Sequence, residues 1–313
     1  MLAAGADDPR AWLERMSYAV EYLNYEGRLI HVLGGETSTL NIAHRVENGR
    51  VTERITSDDA GREIIRNDDE LTCIFPDLRT VLVEEGDDSD KSQSALRRRL
   101  PGTSSINDAF YRLAFAGTER IAGRNSQIIA IRPKDAFRYG YRLSLDRATA
   151  MPLKTQLVDE QGRMLEQILF IEIMLPKRIP GSAVQPSVTI DTFAVRRSGP
   201  AAATRATAQL GEWGSAETPP GFRLTVPQAK VAPDAGSGLR HLVYSDGLAT
   251  VSLFIEPAVA ASEQAEGLSQ IGAANAYTTT IGGHMVTAVG EVPARTVEIF
   301  ALSARPAAGQ KSW

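Results

Sequence analysis

Between Trp12 and Leu23 apolar residues recur every three to four positions, and over most of the following chain they recur every second position. The first pattern predicts a helix. Trp12, Met16, Ala19, Val20 and Leu23 form one apolar stripe, with Glu14, Arg15 and Glu21 on other faces. Asp7 or Asp8 suits the N-cap, and Pro9 suits the first turn, where a missing N–H loses no hydrogen bond. The second pattern predicts short strands at 28–33, 40–46, 51–55, 62–65 and 71–75. Turn residues separate them: Gly34-Gly35, Asn48-Gly49, Asp58 to Gly61, Asn67 to Asp69 and Pro76-Asp77. Asn48-Gly49 is the clearest hairpin signal, because both central positions of a type I′ turn take positive φ. Links this short imply an antiparallel meander rather than βαβ units.

Residues 84–99 interrupt the alternation with a charged interval that reads as an exposed loop, and 106–111 reads as a short helix. Strands are then predicted at 111–115, 120–121, 127–131, 138–145, 153–158 and 164–174. About ten strands in one meander, with one or two helices, suggest a strongly curled sheet or open barrel. Such a sheet holds a helix or an apolar ligand in its concave face. Residues 179–212 have linker composition, with an edge strand expected at 188–195. Beyond Trp213 strands are expected at 240–244 and 248–255, a helix near 263–271, and a closing pair of strands at 284–291 and 298–304. The expected fold class is therefore α+β, mostly β: domain 1–178, linker 179–212, and a smaller α+β domain 213–313.

A length of 313 residues fits two domains. A net charge of -4 and a pI near 5.7 argue against a nucleic-acid partner. Only 14 charged side chains fall in 213–313, against 34 Lys and Arg and 38 Asp and Glu in the whole chain. That segment either hides surface against a partner or the first domain, or carries an uncharged polar surface. The most apolar run, 168–175, is too short to span a membrane and contains Glu172. No secretory signal is visible, and Met1 to Ala6 before an acidic helix start is compatible with a processed N-terminus.

Catalytic chemistry finds no signature. His31, His44, His241 and His284 are scattered, so no metal or cofactor is expected; His31 and His44 are expected on adjacent strands, where they could face each other. The one cysteine, Cys73, sits in a strand-like run and reads as core. The pairs Asp58-Asp59, Asp68-Asp69 and Asp87-Asp88 all lie at turns, where Asp serves its own backbone. No nucleophile elbow, P-loop or dinucleotide fingerprint is present, so a binding protein rather than an enzyme is expected. Arg97-Arg98-Arg99 reads either as a solvated loop or as a phosphate contact to a lipid headgroup or an acidic partner.

Three blocks carry a resemblance. The first runs from Gly123-Arg124 through Ile129 to Asp135, Arg138 to Asp146 and Met151 to Thr155, ending at Leu165-Glu166. The second is Pro219 to Phe222, then Val243 to Ala249 and Phe254 to Pro257, and the third is Gly283 to Pro293. Together they resemble the RseB/MucB family of regulators of the envelope-stress sigma factor. The resemblance implies an N-terminal open barrel of the LolA/LolB type with helices on its concave face. It also implies a periplasmic location and, as partner, the periplasmic domain of a transmembrane anti-sigma factor that the regulator shields from proteolysis. Lipopolysaccharide or acyl chains would favour release, and a homo-oligomer is compatible with the sequence. The expected partner-binding residues are Gly247, Leu248, Thr250, Ser252, Phe254, Gly283, His284 and Met285, clustered in the charge-poor domain. The expected lipid-binding residues are Trp12, Met16 and Val20 on the helix stripe, with Arg97, Arg98 and Arg99. A lipid or lipoprotein carrier without an anti-sigma partner is the alternative.

Overall fold

The computed structural model describes residues 8–58, 61–67, 70–85, 94–102, 106–198, 213–225, 239–258 and 266–306. The Asp8 carboxylate accepts from the Arg10 N–H at 2.9 Å and starts helix α1 (Pro9–Tyr22). The helix buries Trp12, Met16, Ala19 and Val20 of the predicted stripe together with Leu13, whereas Leu23 is its C-cap and only half-buried. Six strands follow: β1 (Tyr25–Leu33), β2 (Glu36–Glu47), β3 (Arg50–Ser57), β4 (Glu63–Asn67), β5 (Glu70–Phe75) and β6 (Thr80–Glu85). Each pairs antiparallel with the next. Asn48 and Gly49 adopt φ of 52° and 78°, as a type I′ turn requires.

The short helix α2 (Ala95–Arg98) precedes a second run of strands. These are β7 (Tyr111–Ile121), β8 (Arg124–Pro133), β9 (Gly140–Asp146), β10 (Pro152–Val158) and β11 (Met164–Met174). The expected single meander is instead two. Strand β11 pairs antiparallel with β1, so one meander runs outward from β1 to β6 and the other from β11 to β7. A further strand, β12 (Ala194–Ser198), adds to β6 in parallel, giving a sheet of twelve strands among the described residues. Val188, Ile190 and Phe193 reach the same edge and pack against Ile74, Val81 and Val83.

One face of this open sheet wraps α1. Leu13, Met16, Ala19 and Val20, none of them exposed, share a core with Leu29, Ile42, Ile129, Leu143, Ile168 and Phe170 from five strands. Residues 106–111 do not form the expected helix. The Asn107 side chain accepts from the Ala109 N–H and its carbonyl from those of Phe110 and Tyr111, which closes a single turn before β7.

The second domain holds β13 (Gly214–Ser215), β14 (Arg223–Thr225), β15 (Arg240–Ser245), β16 (Thr250–Pro257), β17 (Gly267–Ile271), β18 (Ala274–Ile281), β19 (His284–Gly290), helix α3 (Ala294–Leu302) and β20 (Ala304–Arg305). The main sheet has the order β14-β15-β16-β19-β18-β17, and β13 pairs with β20. Two elements differ from the sequence expectation. The segment 298–304 is mostly the helix α3, because Val297, Phe300 and Ala301 recur at helical spacing and are buried against Val251, Leu253 and Ile255. The segment 267–271 is the edge strand β17 rather than a helix, and 263–265 lie outside the described residues. The domain remains α+β.

Candidate functional site

The β15–β16 turn joins the two domains. Its Asp246 carboxylate accepts from the N–H groups of Leu248 (2.9 Å) and Ala249 (2.7 Å), an ordinary turn role for Asp. The same carboxylate accepts from the Tyr111 hydroxyl at 2.8 Å and meets the Arg138 guanidinium at 3.0 Å, across the domain boundary. The side chains of Arg138 and Asp246 are both 0% exposed. Arg138 also donates to the Asp135 carboxylate and to the Pro220 carbonyl, and its guanidinium lies 4.7 Å from the Phe110 ring and 5.1 Å from that of Phe222. Gly221, at φ 88°, lies so close to Phe110 that a Cβ would collide with the ring. Further bonds run from the Thr296 hydroxyl to the Phe137 carbonyl and from the Asn275 amide to the Tyr139 hydroxyl. Leu248 crosses the boundary to pack on the first domain's core.

Beside this joint lies a cavity of about 400 Å³. Leu100, Tyr111, Tyr139, Tyr141, Leu157 and Ile168 line it from the first domain, and Gly247, Leu248, Thr250 and Glu291 from the second. Its charged groups form a chain. The Glu166 carboxylate accepts from Arg99 at 2.9 Å and lies 2.6 Å from the His31 ring nitrogen, and the His31 bond above all, with Arg99, holds that carboxyl below its usual range. Glu291 is exposed at the rim of the cavity, and partial desolvation of its carboxyl, reinforced by the charge of Glu166, pushes that group upward. Burial and the surrounding carboxylates raise the Tyr141 hydroxyl as well. A smaller pocket of about 50 Å³ lies on the sheet face under α2, lined by Leu29, Leu40, Ile42, Ile55, Leu96 and His31. Arg99 and Ile168 border both spaces.

The expected partner-binding residues separate into groups. Gly247, Leu248 and Thr250 line the interdomain cavity. Ser252, Phe254 and Met285 alternate with the core residues of β16 and β19, and Phe254 stacks on His241 at 4.4 Å. Gly283 and His284 lie at the opposite end of β19, where His284 contacts Trp213 at 5.1 Å. Of the expected lipid-binding residues, Trp12, Met16 and Val20 are 7%, 0% and 0% exposed, packed within the core. Arg97 is half-buried on α2, Arg99 borders both cavities, and the Arg98 side chain lies outside the described residues.

His31 and His44 do not face each other. The register through the Gly34-Gly35 turn sets His31 opposite Ser38 and His44 opposite Tyr25. Tyr25, His44, Glu53 and Arg66 instead form a buried row across β1 to β4. His44 stacks on Tyr25 at 4.5 Å, and burial lowers its pKa to about 4. Its folded pKa thus lies below the unfolded value of about 6.5. The stability of the neutral ring is fully present above that value and falls as pH drops toward 4, by up to about 3 kcal/mol. His44→Phe keeps a stacked ring without titrating, so chemical denaturation between pH 6.5 and 4 should show a shallower decline for the variant than for the wild type.

Sequence reasoning did not single out Arg138, Tyr111, Asp246, Glu166 or Glu291 as functional. Asp246 sits in a Ser-Asp-Gly turn whose local role already accounts for an Asp, and nothing local places it against Arg138. Among the described residues no group of three His, Cys, Asp or Glu is placed to hold a metal, and no helix is long and apolar enough to cross a membrane.

Comparison with known proteins matches both domains. Residues 8–188 fit the MucB/RseB N-terminal domain and residues 207–305 the MucB/RseB C-terminal domain. The Sigma factor AlgU regulatory protein MucB of Pseudomonas aeruginosa is 35% identical, over 99% of this chain and 95% of its own. The Sigma-E factor regulatory protein RseB of Haemophilus influenzae is 25% identical, over 91% of this chain and 87% of its own. Among solved structures, that of the Pseudomonas aeruginosa MucA/MucB complex superposes with a TM-score of 0.73 at 31% identity, covering 96% of this chain and 100% of the other. MucB in complex with MucA(peri) gives 0.70 at 30% identity, with the same coverage. With matches that run through both domains and across the boundary where Arg138 meets Asp246, the chain belongs to the MucB/RseB family.

Proposed function

We propose that the chain is a periplasmic regulator of an envelope-stress sigma factor. It binds the periplasmic domain of a transmembrane anti-sigma factor, shields it from proteolysis, and lets go when lipid or lipopolysaccharide binds. The observation that carries this reading is the likeness, over nearly the whole chain, to a relative solved with MucA(peri). The interdomain cavity suits an extended segment, since both domains contribute walls and Gly247, Leu248 and Thr250 are among them. A ligand that favours the unbound arrangement lowers affinity for the partner by the same factor that the partner lowers affinity for it.

For the lipid, the pocket under α2 offers apolar walls with Arg99 beside them. Contact with Trp12, Met16 and Val20 would require α1 to leave the sheet, because those side chains are packed. The same pocket is the feature that favours the second reading, a lipid or lipoprotein carrier.

Titration of an anti-sigma factor's periplasmic domain into the full chain separates the two. Binding at micromolar concentration or tighter is expected, and its absence would favour the carrier. Arg97→Glu with Arg98→Glu leaves the Arg99–Glu166 pair in place. This variant should weaken binding to lipopolysaccharide about fivefold per charge, at roughly 1 kcal/mol each, while peptide binding stays unchanged. Loss of both, or of neither, would count against a headgroup role.

A further inference from the structure

The cavity between the domains is not electrically neutral. Arg99 and Glu166 offset each other as an ion pair, and the remaining lining charge is Glu291. No described side chain makes a hydrogen bond or ion pair with the Glu291 carboxylate, although Arg99 and His31 lie near enough to act on it at longer range. Three tyrosines, Tyr111, Tyr139 and Tyr141, line the same cavity together with Leu157 and Leu248, and Tyr141 is the one near enough for the Glu291 charge to act on it. Aromatic faces attract a cation, and apolar walls accept the methylene stem that carries it. A carboxylate short of a counter-ion, a ring-lined wall and an apolar floor are together complementary to one kind of group.

We propose that the interdomain cavity takes a basic side chain, arginine or lysine, of the bound partner segment, with the Glu291 carboxylate as its counter-ion. The proposal rests on the reading that a partner segment binds between the domains, and it adds what that segment must present. Glu291 follows β19 directly and belongs to the second domain, while the tyrosines belong to the first. A side chain seated there touches both domains at once, so its binding depends on their relative placement. Charge complementarity of this sort sets register and partner choice.

The test uses the full chain and, as probe, the periplasmic domain of Pseudomonas aeruginosa MucA, with each of its Lys and Arg residues replaced in turn by Met. With the wild-type chain, one replacement should weaken binding about tenfold, the scale of a hydrogen-bonded charge pair. Glu291→Gln should weaken binding of the unaltered probe by a similar factor, and that variant with that probe should lose no more than either change alone. Glu291→Lys should weaken binding further and be partly rescued by a probe carrying Glu at the sensitive position. Glu291 holds no described side-chain bond, so the melting temperature of Glu291→Gln should match the wild type. An unchanged affinity for Glu291→Gln, or a loss that simply adds to every Lys and Arg replacement, overturns the proposal and leaves the partner reading intact. Failure of the unaltered probe to bind the wild-type chain defeats the partner reading, and this proposal with it.

Discussion

Arg138→Met is expected to lower the unfolding free energy by about 3–5 kcal/mol, the cost of removing one member of a buried ion pair. Methionine keeps much of the arginine's apolar length, so the loss measures charge rather than volume. What remains is the Asp246 carboxylate, 0% exposed and 3.0 Å from where the guanidinium stood. The Tyr111 hydroxyl and two backbone N–H groups still donate to it, but none of them carries a compensating charge. The Pro220 carbonyl and the Phe110 and Phe222 rings lose the cation as well. Chemical denaturation of Arg138→Met gives the first number. Asp246→Asn in the same chain should return a large part of the loss, because a neutral amide is far cheaper to bury than an unpaired carboxylate. A loss below about 1 kcal/mol, the scale of an exposed pair, would mean that water reaches Asp246 and that the joint is not sealed.

The joint illustrates what the sequence could and could not convey. Local signals were legible because their physics is local. Asp8, Pro9 and the stripe from Trp12 to Val20 specify α1 within one segment, and Asn48-Gly49 specifies its hairpin through backbone conformation alone. The pairing of β1 with β11 was not legible, since nothing in either strand names a neighbour more than 130 residues away. Helix α3 was misread because the short run with Ile299 and Phe300 also suits a buried strand by composition, and only the burial of Val297, Phe300 and Ala301 against β16 decides for the helix. Gly247, Leu248 and Thr250 belong to one turn and its following strand and reach the cavity together, whereas the opposing wall from Tyr111 to Tyr141 depends on how two domains meet. Glu166 and Glu291 are unremarkable in sequence and become informative only when they share a space.

Met16→Ala tests the face between α1 and the sheet. Met16 is 0% exposed and packs among side chains of similarly complete burial, so truncation should cost about 2–5 kcal/mol through lost transfer energy and the cavity left behind. That figure assumes the helix stays on the sheet until the domain unfolds. If α1 instead lifts off readily to admit an acyl chain, the domain already visits states in which Met16 is in water. The loss in global stability is then capped by the free energy of that local opening. Denaturation of Met16→Ala, read beside hydrogen exchange at the α1 amides, separates the cases. A full loss with slow wild-type exchange makes Trp12, Met16 and Val20 structural and confines an acyl chain to the pocket beside Leu96 and Arg99. A loss under about 1 kcal/mol with fast exchange would make α1 a cover and restore its stripe as the lipid surface.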